Sequence, residues 1–389
     1  MLESQADKTT VAKRLDLRLY VRQPPVMLAL LAVLGVMFFL AVAGLSRVYH
    51  GQREALGNRW FSRGVADLKA QRFDAAVTEF RSALLYSRDN YAYQLNLAEA
   101  LLGLKRTSEA STYLLNLWDR QPEDGLVNLE LARIAVQKGQ TEPAQRYYHN
   151  AIYAVWPGEQ EVKRRDARLE LIEFLLTTGA KAQAQAELIA LEENLGEDPA
   201  QQEQLGDLFL QAHDYEHALA AYRRSLKAEG DNRAALAGAG MAAFQLGRYP
   251  LAQRYLQAAV AGNPGDTRSA DLLKTTNLVV KMDPFRRQIS VAQRDRVVVE
   301  AFAAAGQRLK SCGAARGAAL PTASQTSLAE NWARMKPRAS EQELRRNPDL
   351  VEAVMDLVFD IERQTSTTCG TTVGTDMALL LIAKLHEGN

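Results

Sequence analysis

The apolar positions of this chain obey two rules in succession. From Val26 to Leu45 they form an unbroken run, VMLALLAVLGVMFFLAVAGL, 20 residues without a charge. At ~1.5 Å per residue this makes about 30 Å of helix, the thickness of a bilayer's hydrocarbon core. A buried core helix of that length would show a polar face, and this run has none. From about residue 57 the apolar positions fall at helical spacing, and the pattern itself recurs. Ala76, Ala110 and Ala144 stand 34 residues apart, and so do Ala184, Ala218 and Ala252. The step from Ala144 to Ala184 is 40, one period plus a six-residue insertion near Trp156-Pro157-Gly158-Glu159.

The surroundings of those alanines recur too. Four residues after each comes a large side chain: Phe80, Leu114, Tyr148, Leu188, Tyr222 and Leu256. Twelve residues before each stands a mostly small one: Gly64, Ala98, Ala132, Ile172, Gly206 and Gly240. Prolines close several units, at Pro122, Pro157, Pro199 and Pro264. This pattern, six units over residues 57–266, resembles the tetratricopeptide-repeat (TPR) family. The resemblance implies an all-α, right-handed superhelical solenoid of antiparallel helix pairs. Small residues let the helices approach, large ones fill the hole opposite, and neighbouring units bury each other's apolar faces. Gly103, Gly139, Gly179 and Gly247 are expected at the turns between paired helices, in the positive-φ region. Ile172, Leu117 and Leu191 are bulkier than the family pattern asks. A last helix, Thr267 to Met282 within a segment 267–283, is expected to cap the open end.

In this family the first helix of each unit lines the concave groove. Aligning units places Val65, Glu99, Arg133, Glu173, Asp207 and Met241 in one row. Residues three further on give an apolar row: Leu68, Leu102, Val136, Leu176, Leu210 and Phe244. The first row has an acidic excess with Arg133 as its one cation, which does not support a clamp for a peptide's terminal carboxylate. Such a groove suits an extended or helical peptide with apolar anchors and some basic groups. The competing reading is that the apolar row only packs helix against helix.

Beyond Pro284 the period ends, and residues 284–389 read as a small helical module. Helices are expected over Ile289–Lys310, Ser327–Met335, Asn347 to about Arg363 with Asn347 as cap, and Asp376–His386. The last is so apolar (MALLLIAKL) that it must be buried against something. Cys312 and Cys369, the chain's two cysteines, each sit just after an expected helix. They are expected to form a disulfide, which needs an oxidising compartment. The polar leader, residues 1–25, carries Lys8, Lys13, Arg14, Arg18 and Arg22, but Arg47, Arg53, Arg59 and Arg63 follow the span, so the charge bias is weak. With the cysteines, the expectation is a single-pass protein of a bacterial inner membrane, amino terminus cytoplasmic and repeats periplasmic. Ala41-Val42-Ala43 keeps a cleaved signal peptide open as an alternative, against which stand the long leader and long apolar run.

Net charge is +1, so there is no chain-wide field to attract nucleic acid. Two cysteines without a CxxC pair argue against structural zinc. His213-Asp214-Tyr215-Glu216-His217 matches the HxxEH zinc-peptidase pattern, but the repeat frame puts His213 in a turn and makes both histidines surface residues. The stretch Thr365 to Asp376 is rich in Gly and Thr yet lacks a phosphate-binding lysine; Thr375 or Asp376 is expected to cap the last helix. No catalytic, metal or cofactor residues are therefore assigned. The function expected is a membrane-anchored scaffold for protein–protein interaction in cell-envelope assembly or secretion. The resemblance extends to single-span proteins with periplasmic arrays that assist translocation, secretion, pilus or polysaccharide assembly, or cytochrome maturation. Two alternatives are a fixed subunit of a larger membrane complex, docked by the last apolar helix, and an enzyme with its site in the carboxy-terminal module. Acid/base groups for the latter would come from Glu330, Asp356, Asp360, Glu362 and Asp376, of which Asp356, Asp360 and Glu362 are expected on the solvated side of a helix.

Overall fold

A computed structural model describes residues 24–315, 323–370 and 373–387. Most of the polar leader and the Ala/Gly-rich stretch 316–322 lie outside the described residues. The described residues hold helices and no strand beyond an isolated bridge, Asp124 to Val155. The chain divides into two compact units, one ending at Ala167 and one beginning at Arg168.

In the first unit, α1 (Pro24–Lys69) is 46 residues long. Its apolar part stands clear of the protein, with Phe38, Phe39 and Leu45 all more than 70% exposed. The same helix then becomes the first helix of repeat one, without a break. From there the small-and-large pattern takes over. A Cβ at Gly64 would lie 2.5 Å from the Phe80 ring, so glycine is what lets α2 (Phe73–Tyr86) close onto α1. The Tyr93 hydroxyl donates to Asn58 Oδ1 at 2.7 Å and ties α3 (Tyr91–Gly103) to the same helix. Helices α4 (Thr107–Arg120), α5 (Gly125–Gln137) and α6 (Thr141–Tyr153) continue the pairs. The six-residue insertion folds back on the array. Trp156 is buried against Gly125, and its indole N–H donates to the Ala151 carbonyl at 2.8 Å.

Helix α7 (Gln160–Thr177) opens the fourth repeat. In the second unit it is followed by α8 (Lys181–Glu192), α9 (Pro199–Gln211), α10 (Tyr215–Ala228), α11 (Arg233–Gln245) and α12 (Tyr249–Gly262). Their shared core is built on Ile172, Leu188, Phe209, Tyr222 and Leu256, all fully buried. The bulky Ile172 and Leu191 are buried with the rest.

Helix starts have a local cause. Asn90, Asp124, Asp198, Asn232 and Asp266 each cap the first helix of a pair or the terminal helix, accepting from the amide three residues on. The turns inside the pairs share one backbone solution. Gln71, Lys105, Gly139, Gly179, His213 and Gly247 all have positive φ, between 58° and 77°. Gly103 does not belong to this set. It ends α3, and the ring of Phe73 packs on it, so its smallness serves packing and Lys105 makes the turn.

Helix α13 (Thr267–Met282) follows the last repeat as expected. Next come α14 (Val291–Ala315), α15 (Ala323–Met335), α16 (Glu341–Arg346), α17 (Leu350–Cys369) and α18 (Gly374–His386). Several boundaries differ from the sequence reading. Cys312 lies inside α14, and Cys369 is the last residue of α17 rather than beyond it. Asn347 terminates the unforeseen α16 instead of capping α17. Thr375 and Asp376 sit in the first turn of α18, whose cap position is Val373. These helices do not stand apart from the array. Val279 and Met282 of α13 share a core with Phe302 of α14, Val358 of α17 and Leu379 and Ile382 of α18, and Tyr249 and Phe244 of the last repeat pack into it. The last apolar helix therefore turns its Ala378, Leu379, Ile382 and Ala383 inward and is not a free docking element. Cys312 and Cys369 are disulfide-bonded, with Cα atoms 5.7 Å apart, joining α14 to α17.

Candidate functional site

The two rows aligned from the sequence occupy equivalent positions on the first helices of the repeats. In the first unit Val65 and Leu68 are on α1, Glu99 and Leu102 on α3, and Arg133 and Val136 on α5. In the second, Glu173 and Leu176 are on α7, Asp207 and Leu210 on α9, and Met241 and Phe244 on α11. None of the apolar-row residues is fully withdrawn from solvent; all six are half-buried. The small-and-large residues of the core, by contrast, are almost completely covered. The apolar row therefore keeps surface that helix packing has not consumed.

The charged row gains partners the alignment missed. In the first unit Glu130, three residues before the row position on the same helix, accepts from Arg133 Nη1 at 2.6 Å. The row's only cation is thus paired with a carboxylate. Burial, and then the charge of Glu130, push the Glu99 carboxyl above its ordinary pKa. Leu102, Lys105, Glu130, Arg133 and Gln137 line a cleft of about 310 Å³ there. In the second unit Asp207 Oδ1 accepts from the Tyr222 hydroxyl at 2.5 Å. Burial and that bond hold the tyrosine well above its normal pKa, so it stays a donor and orients the carboxylate. Glu173 and Asp207 are both exposed. A second cleft, about 440 Å³, is lined by Met241, Gln245, Arg268, Asp271 and Leu272. Arg268 Nη2 lies 3.2 Å from Met241 Sδ. Phe244 meets Tyr249 edge to face at 5.4 Å, which fixes the ring at the edge of the carboxy-terminal core. Glu130 and Arg268 escaped the sequence reading because they lie outside the aligned positions, and Tyr222 was legible there only as a large packing residue.

The histidine motif resolves into helix capping. Asp214 is the N-cap of α10 and accepts from the His217 amide at 3.2 Å and its ring Nδ1 at 2.8 Å. His213 lies in the left-handed turn and approaches Lys181 Nζ at 2.9 Å. Among the described residues no cluster of His, Cys, Asp and Glu with metal-binding geometry forms. Of the Gly/Thr-rich stretch, Thr365–Cys369 is helical, and Thr371 and Thr372 lie outside the described residues.

The carboxylates of the carboxy-terminal module separate sharply. Glu330, Asp356 and Asp360 are exposed. Glu362, expected on the solvated side, is fully buried, and neither of its carboxyl oxygens has a hydrogen-bond partner. The reason is the turn of α17: Val358, Ile361 and Thr365, also buried, share its face. Burial, reinforced by Asp376, pushes its pKa up to about 8, against a smaller opposing pull from Arg308. Asp376 in turn lies 3.9 Å from Arg308 Nε. The arrangement gathers two carboxylates and a guanidinium, with Glu362 closed to solvent.

Taken together, paired helices and a periodic core define a helical-repeat scaffold. Residues 67–125 and 204–267 match family models described as tetratricopeptide repeat, and the chain is a tetratricopeptide-repeat protein. Proteins of this class hold peptide or protein partners, which makes the array a protein–protein interaction scaffold. No curated protein matches the chain. Among solved structures, YrrB, a TPR protein with an unusual peptide-binding site, is similar at 15% identity over 49% of this chain and 95% of that one, with a TM-score of 0.40. The pilF protein of Pseudomonas aeruginosa is similar at 15% identity over 56% and 97%, TM-score 0.39. Part of a TPR protein of Cytophaga hutchinsonii is similar at 14% over 61% and 92%, TM-score 0.45. At these scores nothing of their function is carried across.

Proposed function

We propose that this protein is a membrane-tethered scaffold whose groove holds peptide segments bearing apolar anchors and basic groups, in the service of cell-envelope assembly or secretion. The observation that carries the reading is the half-covered apolar row beside an acidic one. Leu176, Leu210 and Phe244 keep accessible surface next to Glu173 and Asp207; in the first unit Leu68, Leu102 and Val136 do so beside Glu99, where Arg133 is paired with Glu130. Apolar anchors supply affinity by leaving water, and carboxylates select cationic neighbours and reject acidic ones. The exposed apolar stretch of α1 supports a single-pass anchor, since 27–45 finds no protein to cover it. The disulfide supports an oxidising compartment such as the periplasm, with the amino terminus on the cytoplasmic side of an inner membrane.

The test uses the detergent-extracted full chain with a photo-crosslinking residue at Leu210. Captured segments should be enriched in Lys or Arg beside large apolar residues. Lowering the groove's charge with E173K/D207N, which retains an acceptor for Tyr222, should reduce capture at least tenfold at unchanged helicity. Capture that ignores both sequence and this substitution would refute the groove.

A further inference from the structure

On the first unit, away from the groove rows, the described residues form a cleft of about 1140 Å³ lined by Arg53, Arg81, Arg88, Leu85, Asp89 and Tyr113. Three guanidinium groups face one carboxylate in this lining. Arg81 is paired outward with Glu109 at 3.0 Å. Arg53 makes neutral contacts and no ion pair among the described residues: Nη2 donates to Leu85 O at 3.1 Å, and the guanidinium lies over the Tyr49 ring, 5.8 Å from its centroid. Arg88 is exposed and has no ion-pair partner among the described residues. Leu85 is 78% exposed beside these cations. A leucine left in water next to two unneutralised arginines is a poor surface for an aqueous setting and a good one for the edge of a bilayer.

The position of the cleft on the chain supplies the occupant. Arg53 lies on α1 eight residues beyond Leu45, the last of the apolar run, about 12 Å along the axis. No break separates the two, so the helix that would cross the bilayer delivers Arg53 close to its surface. Helix α2 runs back antiparallel to α1, and the hydrogen bond to Leu85 brings its end to the same level. Lipid headgroups occupy about 5–8 Å on each side of the hydrocarbon core. Arginine stems reach back towards such a layer while their charge stays at the phosphates.

We infer that this cleft binds the phosphate of anionic phospholipid headgroups in the bilayer that anchors the chain. Arg53 and Arg88 supply the charge, and Leu85 enters the interfacial layer. The lipid then fixes the first repeat against the surface, which sets the direction in which the array leaves the membrane. The inference rests on the anchoring reading given above.

The experiment exposes the detergent-extracted full chain to equimolar phosphatidylglycerol and phosphatidylcholine and quantifies retained lipid by native mass spectrometry. Phosphatidylglycerol should be retained in excess. R53Q/R88Q should cut that excess about fivefold for each arginine removed, as expected for charges acting at a membrane surface. R53K/R88K should keep most of it. R59Q/R63Q removes equal charge from α1 outside the cleft and should change it little. Equal retention of both lipids, or equal losses in the two glutamine variants, would overturn the cleft while leaving the anchor intact. A chain that retains neither lipid and stays soluble without detergent would overturn the anchor as well. Circular dichroism of each variant separates lost binding from lost fold.

Discussion

At the residue scale the repeat decides backbone conformation before it decides identity. Six turns occupy the same positive-φ well, yet only Gly139, Gly179 and Gly247 are the residue that adopts it freely; Gln71, Lys105 and His213 adopt it against the clash of their Cβ. Gln71→Gly should therefore stabilise the first unit by about 1 kcal/mol, and Gly139→Ala should destabilise it by a similar amount, both measured by urea unfolding. The sequence signal for these turns was the 34-residue period and not the glycines, which is why Gly103, a glycine two residues from the right place, misled.

Glu362 gives the second residue-scale prediction. Its folded pKa of about 8 lies above the ordinary carboxyl value of 4.5, so the folded state holds a proton the unfolded state has released. Stability from this group is fully present below pH 4.5 and is lost as pH rises towards 8. In melts at pH 5, 6.5 and 8 the carboxy-terminal helices should lose stability progressively, and E362Q, which cannot ionise, should flatten that trend. Identical slopes in the two proteins would contradict it. The amphipathic pattern placed Glu362 with Asp356 and Asp360, but the buried face of α17 is wider than the pattern implied. A carboxylate at its edge was drawn in by the packing of α14 and α18.

At the element scale, helix starts were legible in principle: Asn or Asp stands at the cap five times in register with the repeat. Helix ends were less so. Thr365, Ser366 and Thr368 are poor helix formers, yet α17 continues through them. Their hydroxyls donate back to the carbonyls of Ile361, Arg363 and Gln364 at 2.7–2.8 Å, and Thr365 is buried. Helix α14 likewise persists past Gly313 while Cys312 is held against α17. Tertiary contact has overridden propensity in both. The bond between Cys312 and Cys369 closes a span of 57 residues. By the chain-entropy account that is worth up to about 4 kcal/mol. Reduction, or Cys312→Ser with Cys369→Ser, should lower the melting temperature of the carboxy-terminal helices while leaving α1 to α6 unchanged. Hydrogen exchange resolved by segment would read the difference.

At the scale of the whole molecule, the continuity of α1 matters most. A helix that passes from an exposed apolar run into the first repeat has no hinge glycine or proline between Leu45 and Gly57 apart from Gly51, which remains helical. Removing residues 26–45 should release the chain from the membrane fraction into solution with its helicity otherwise retained, by fractionation and circular dichroism. Persistence in the membrane fraction would mean that other surface holds it there. The carboxy-terminal helices extend the array's last core, so truncation after Met282 should expose Val279, Met282, Phe244 and Tyr249 and promote aggregation.

The sequence by itself determined what is periodic: six helix pairs, the small-against-large packing that closes them, and one apolar run too uniform for a protein interior. Those follow from local spacing, which the chain carries wherever it folds. The tertiary structure alone decided what depends on neighbours distant in sequence. It buried Glu362, tethered Asp207 to Tyr222 and turned the last apolar helix into core. It also set Arg53 and Arg88 around one cleft, because two antiparallel helices bring together side chains that no single period relates.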